Sequence, residues 1–138
     1  MSMDLATQKA LRNRLIASPE VTALVPATAI LDRNQRPAPS PSIILGETQL
    51  VDEGTSFQRT HTRVYHTIHV WKQETSLEGV KRICGAIRRA VMSGRMNLDA
   101  GYHCADLRAS GVRVMRDPDG ETSHGVVSVE MLIAEVQA

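Results

Sequence analysis

The 138 residues predict an α+β fold, a mostly antiparallel sheet with helices packed on one face. Three observations predict it. The run THTRVYHTIHVWK (60–72) is dense in β-branched and aromatic residues, has no Gly or Pro, and shows no three-to-four spacing of apolar side chains, the composition of a long strand. An apolar stripe at helical spacing follows it directly. The last third then reads as two strand-like runs joined by the turn sequence Asp117-Pro118-Asp119-Gly120. The length suits one domain, residues 1–138, around a single core.

Taken in order, residues 3–17 have the pattern of a helix that turns Leu5, Leu11, Leu15 and Ile16 inward among charged neighbours. Ser18-Pro19 restarts the chain, because Ser caps well and Pro suits the first helical position. A short helix over 19–25 is expected to bury Val21, Leu24 and Val25, and a brief strand follows at Ala29-Ile30-Leu31. RPAPSPS (36–42) alternates proline with other residues and reads as an extended linker. A strand begins at Ile43-Ile44-Leu45 and runs to about Val51, and DEGTSFQR (52–59) is a polar loop carrying one aromatic, Phe57.

The histidine-rich run carries the sharpest question. Alternation places Val64, His66, Ile68 and Val70 on one face, with His61, Arg63, Tyr65, Thr67, His69 and Trp71 on the other. His61 and His69 share a face but lie about 27 Å apart at about 3.4 Å per residue. A zinc ion requires nitrogens about 2 Å away on every side, so the strip alone makes no metal site.

After the strand, Thr75 and Glu78 fit a capping box, with Leu77, Val80, Cys84, Ile87 and Val91 as the buried stripe. Lys81, Arg82, Arg88 and Arg89 flank it, Gly85 reads as a close-packing position, and Ser93-Gly94 closes the helix. The hairpin runs from about Cys104 to Arg116 and returns from His124 to Val136. Its second strand puts Val127, Val129, Met131 and Ile133 on one face, with His124, Ser128 and Glu130 on the other.

Formal net charge is +1, from 16 basic and 15 acidic residues, and aromatic content is 3%. Nucleic-acid and membrane-surface binders run more basic, and single-strand binders need more stacking side chains. Cys84 and Cys104 lack CxxC spacing, which favours free thiols in a reducing compartment. The N-terminal stretch has no unbroken apolar run, so neither a secretory signal nor a membrane span is expected there. No catalytic signature appears: GxSxG, GxxxxGK[ST] and HExxH are all missing. His103 and Cys104 are neighbours on a strand and point to opposite faces, so they cannot share a proton. Asp117 and Asp119 belong to turn chemistry. The expected protein is therefore not an enzyme, and it has no cofactor or metal site.

Read end to end, from about Leu5 to Val136, the chain resembles the tail-completion or tail-terminator family of long-tailed bacteriophages, found also in prophages and gene transfer agents. The segments LIASPEVTALV (15–25), PSIILGE (41–47), HTIHVW (66–71), KRICGAIRRA (81–90) and RDPDGETSHG (116–125) carry the resemblance by their order and spacing. It implies a structural virion protein that forms a homo-oligomeric ring, usually of six subunits. That ring caps the tail tube, contacts the tail tube protein and the head-closure or connector protein, and lets DNA pass without binding it specifically. It also implies a place in the virion neck, after assembly in the host cytoplasm and with no membrane involved. A head-closure ring of the same neck is the nearest alternative. A small nucleic-acid-binding module using Lys81, Arg82, Arg88, Arg89 and Arg95 is another, and a small hydrolase or ligand-binding domain would need a real pocket.

A ring is built from head-to-tail contacts between two unlike patches on each subunit. The candidate patches are the polar loop with Phe57 and Arg59, and the outward strand face with Arg63, Tyr65, His69 and Trp71.

Overall fold

The computed structural model describes residues 2–33, 39–54, 59–99 and 101–135. Helix α1 (Met3–Ala17) leads into a short helix α2 (Pro19–Thr22) and a 3-10 turn at Ala27–Ala29. The strands are β1 (Ile30–Leu31), β2 (Ser42–Asp52), β3 (His61–Gln73), β4 (Tyr102–Arg116) and β5 (Thr122–Glu135), with helix α3 (Glu78–Val91) between β3 and β4. They form one five-stranded sheet in the order β1-β2-β3-β5-β4. Only the short β1–β2 pairing is parallel, and the others are antiparallel. This is the expected α+β class.

The period-two reading of β3 is correct: Val64, His66, Ile68 and Val70 are buried, while the residues between them are half-exposed. Helices α1 and α3 cover that inner face. Leu11 and Leu15 from α1 pack with Val80, Ile83, Cys84, Ile87 and Val91 from α3 and with Val127, Val129, Met131 and Ile133 from β5. Gly125 sets how closely α3 approaches the sheet. A Cβ there would fall 2.5 Å from Cys84 Sγ and 2.8 Å from Val80 Cγ1.

Several local expectations need correction. Leu5 is 50% exposed, and the inward residues of α1 are Met3, Ala6, Thr7, Leu11 and Leu15. Helical residues turn about 100° each, so Leu5 and Leu11 lie about 120° apart around the axis and cannot share one narrow stripe. Ser18 does cap α2, accepting from Val21 N–H at 3.3 Å, but α2 ends at Thr22 and leaves Leu24 36% exposed. The capping box at Thr75 does not form. Instead Ser76 Oγ accepts from Glu78 N–H at 3.1 Å, and the Glu74 carboxylate accepts from Gly79 N–H at 3.3 Å. Gly85 is not a close-packing position either, since a Cβ there would meet only the Arg89 guanidinium, 3.5 Å away.

The far end of α3 is held by a residue with no sequence signal. Arg14 of α1 donates to the carbonyls of Val91 at 3.2 Å and Gly94 at 2.7 Å, which places a cation where helix carbonyls lack partners. The hairpin turn is as expected, with Gly120 at φ 73°. There Asp119 accepts from Glu121 N–H at 2.8 Å, Thr122 N–H at 2.9 Å and Thr122 Oγ1 at 2.8 Å. No helix among the described residues is long and apolar enough to cross a membrane.

Candidate functional site

The sheet face away from the helices carries most of the polar side chains singled out on β3. Antiparallel pairing with β5 sets Tyr65 opposite Glu130 and Trp71 opposite His124, and pairing with β4 sets Arg108 opposite Glu130. Two chains of contacts follow, one at each end of the strands.

The first chain is ionic. Arg63 grips Glu53 through Nε and Nη2 at 3.0 and 2.9 Å and reaches Glu130 Oε1 through Nη1 at 3.0 Å. Arg108 takes the other oxygen of Glu130 through Nε at 3.1 Å and Nη2 at 2.7 Å. Glu130 is 7% exposed, so its charge is tolerated because both oxygens are bonded to guanidinium groups. Arg108, and then Arg63, hold its carboxyl below the usual range, and Glu53 in turn raises the Arg63 pKa. The run Glu53–Arg63–Glu130–Arg108 thus spans the sheet from the end of β2 to β4.

The second chain is aromatic and imidazole. Glu47 Oε1 lies 2.9 Å from His69 Nε2, and His69 Nδ1 lies 3.0 Å from His124 Nε2. The two imidazole centroids are 5.2 Å apart with planes 20° from parallel, the separation of rings lying edge to edge with the hydrogen bond in their plane. Trp71 stacks face to face on His124, centroids 3.8 Å apart and planes 4° from parallel. When His69 is neutral, donation from Nε2–H to the Glu47 carboxylate leaves Nδ1 to accept from Nε2–H of His124. That bond from His69 keeps the Glu47 carboxyl below its ordinary range; burial, and then the neighbouring His69, lower the His124 pKa. Gly46 makes room for the arrangement, since a Cβ there would stand 2.7 Å from His69 Cδ2. An open groove lined by Asp32, Arg33, Ile44, Glu47, His69 and Trp71 runs beside it.

Among the described residues, no group of three His, Cys, Asp or Glu side chains could hold a metal ion. In the His69–His124 pair the ring nitrogens point at each other along one line, which leaves no space for an ion about 2 Å from each. The other histidines are apart: His61 meets Thr60 Oγ1 at 3.0 Å, and His66 lies on the inner face between Thr7 Oγ1 at 2.7 Å and Thr48 Oγ1 at 3.1 Å. Burial pushes the His66 pKa down to about 4.

Of the six candidate contact residues, Arg63, Tyr65, His69 and Trp71 share the outer face of β3. Arg59 precedes β3, at φ 56°, with its guanidinium 2.9 Å from Asp52. Phe57 lies outside the described residues. Glu47, Glu53, Arg108, His124 and Glu130 complete the face. Alternation along the last strand does put His124 and Glu130 on one side, but only the pairing of β5 with β3 brings them to His69 and Arg63.

The other features supply no reacting pair. Cys104 is buried and His103 exposed. Both cysteines are free, and burial pushes the Cys84 thiol up to about 11. On α3, Arg82 pairs with Glu78 at 2.7 Å and Arg89 donates to Glu20 at 2.7 Å, so part of the basic flank is neutralised within the chain. What remains is a mixed-charge face with aromatic content, whose side chains bond mostly to one another.

The family model described as Tail completion protein gp17 matches residues 9–134. Among curated proteins, none matches significantly. Two solved structures share the fold over nearly the whole chain. One is a chain described as from the virion of a native gene transfer agent particle, 18% identical with a TM-score of 0.78, covering 97% of this chain and 99% of that one. The other is the bacteriophage SPP1 gp17 protein, 19% identical with a TM-score of 0.61, covering 97% and 91%. Sequence match and fold likeness each extend over most of the chain, and the chain belongs to the tail completion protein gp17 family of bacteriophage structural proteins.

Proposed function

We propose that this protein forms a ring, of six copies, that caps a tail tube and joins it to the head connector while leaving a passage for DNA. The observation that carries this reading is the fold shared from end to end with a chain described as part of a gene transfer agent virion. A net charge of +1 agrees with a conduit, because tight DNA binding rests on phosphate neutralisation by excess basic charge. The outer face of β3 is the proposed contact surface. Arg63, Tyr65, His69 and Trp71 form it, and ordered partners hold Arg63, His69 and Trp71 in place, which lowers the entropy cost of docking. Arg59, with Phe57 two positions before it in the sequence, is the proposed second patch.

The test is deletion of the gene in its phage, prophage or gene-transfer-agent background, followed by electron microscopy of the particles. Tails of uncontrolled length, unjoined to heads and restored by the intact gene, are the expected result. Tails of normal length without heads would move the protein to head closure. Joined particles with normal tails would overturn the reading.

A further inference from the structure

The sheet has two open edges, and their backbone and side-chain patterns are complementary. On one side β1 covers only Ile43 and Ile44 of β2, so no strand among the described residues pairs with the outer side of Gly46–Asp52. On the other side β4 is an edge strand over its full length, Tyr102–Arg116. Open edges of this length invite pairing with another chain, and proteins that do not use them block them with prolines, lysines or bulges. Neither edge contains Pro or Lys. The irregularities in β2 fall between Leu45 and Thr48, and those in β4 between Cys104 and Asp106 and between Ala109 and Gly111, which leaves Thr48–Asp52 and Gly111–Arg116 regular.

The backbone parity of each regular run can be read from one bond. Glu53 N–H donates to His61 C=O at 3.1 Å, so hydrogen-bonded pairs toward β3 recur at Val51 and Gln49. Thr48, Leu50 and Asp52 therefore turn their N–H and C=O groups to the open side. At the other edge Asp117 N–H donates to Thr122 C=O at 2.9 Å, so Met115, Arg113 and Gly111 bond to β5, and Val112, Val114 and Arg116 face outward. Leu50 and Val112 also share the helix side of the sheet, lying opposite the buried Val64 and Val127. Both are exposed large apolar side chains, at 46% and 42%.

We infer that the β2 edge of one copy pairs antiparallel with the β4 edge of the next, with Leu50 opposite Val112. Within one copy β2 and β4 already run in opposite directions, so rotation about an axis along the strands produces this pairing. The register satisfies backbone parity and side-chain facing together. It covers the two exposed apolar side chains on the helix side, Leu50 and Val112, with each other and sets Arg113 opposite Gln49, diagonal to Glu47. Arg113 has no ion pair among the described residues, so Glu47 offers it a partner across the joint. The two edges are unlike, so the contact is head-to-tail and repeats until the rotation closes.

This inference rests on the ring reading and puts the seam between copies at the sheet edges, which leaves the outer face of β3 for contact with the tube or the connector. The test is the double variant Leu50→Cys and Val112→Cys in the full chain, with sedimentation and non-reducing electrophoresis of the same sample, alone and with tail tubes. Directly opposite residues of a hydrogen-bonded pair lie about 5.5 Å apart at Cα, within disulfide reach. The expected result is a ladder of covalent oligomers from the double variant and none from either single variant. Oligomers in the sedimentation profile without a ladder would overturn the seam and leave the ring intact. A monomer under both conditions would overturn seam and ring together. A second variant, Val112→Pro, removes an N–H that points away from β5 and so spares the chain's own ladder. It should keep the parent melting temperature and lose the oligomer; a Val112→Pro protein that oligomerises as the parent does would also overturn the seam.

Discussion

His66 and His69 stand on the same strand in different chemistry. His66 faces the helices, 3% exposed, with a threonine hydroxyl at each ring nitrogen. His69 faces away, linked to Glu47 on one side and His124 on the other. The first joins α1 to β2 and β3, and its polar atoms are satisfied within the core. The second belongs to a face of ion pairs and stacked rings. One face of the sheet holds the core, and the other is the contact surface proposed above. Changes on the inner face should register in melting, and changes on the outer face in assembly.

The largest effect is expected where α3 meets β5. Gly125→Ala places a methyl against Cys84 Sγ and Val80 Cγ1, both in the packed core, and overpacking of this kind costs about 1–3 kcal/mol. Gly85→Ala on the same helix is the control. Its methyl meets only the end of the flexible Arg89 side chain, so the change should stabilise by up to about 1 kcal/mol through helix propensity. Urea unfolding of both variants measures the difference. Equal shifts would mean that contact with Gly125 does not set the helix–sheet spacing.

Acid should act first through the inner histidine. With the folded pKa of His66 lowered to about 4 from 6.5, the unfolded chain takes up a proton in that window that the folded chain refuses. Stability from this group is complete above the unfolded value and falls as pH drops, by about 3 kcal/mol in all. Below about 4 the folded protein protonates too, and the slope from this group ends. His66→Leu leaves Thr7 and Thr48 without their partner, so it destabilises at neutral pH. It should nevertheless flatten the pH profile across the window, a change that comparison of urea midpoints would detect.

How much of this was legible differs by face. The strand's period of two separates His66 from His69 with no structural information, because successive side chains must alternate. What His69 meets was not legible. His124 is 55 positions away and Glu47 is 22 away, and neither spacing carries a signal until the strand order is known. Arg14 at the end of α3 is hidden for the same reason, its carbonyl partners lying in a distant segment. The Thr75 capping box failed for a local reason. The helix begins at Glu78 with Leu77 in the cap position, so Thr75 lies outside the first turn and Ser76 and Glu74 meet the first helical N–H groups instead. Leu5 is apolar yet exposed because its angle around the helix, and not its hydrophobicity, sets which way it faces. Contacts set by chain-local period are readable, whereas contacts set by strand pairing are not.

A smaller effect is expected at the hairpin tip, away from both faces. Gly120 adopts φ 73°, where a Cβ is strained although the space around it is open. Gly120→Ala should therefore cost about 1 kcal/mol by backbone strain alone. Gly120→Asn should cost less, because Asn tolerates the left-handed region. Equal losses for the two variants in thermal melts would point to a packing cause rather than a backbone one.

The smallest effect on folding should accompany the largest effect on assembly, at Trp71. Its indole lies flat on His124, and the reverse side of the sheet carries the core, so Trp71→Leu removes one stacking contact without opening a cavity. Such contacts are worth about 0.5–1.5 kcal/mol beyond the area they cover, and leucine keeps part of that area. The melting temperature should therefore move less than for Gly125→Ala. At an interface the same side chain would act as an anchor, and truncating an anchor costs about 2 kcal/mol or more of association. The two readouts are separable in one preparation, by melting and by the yield of joined particles on complementation. A Trp71→Leu protein that melts close to the parent and fails to join tails to heads assigns the outer face to docking. One that melts close to the parent and assembles normally removes Trp71 from the contact surface and leaves its stack on His124 a local matter of packing.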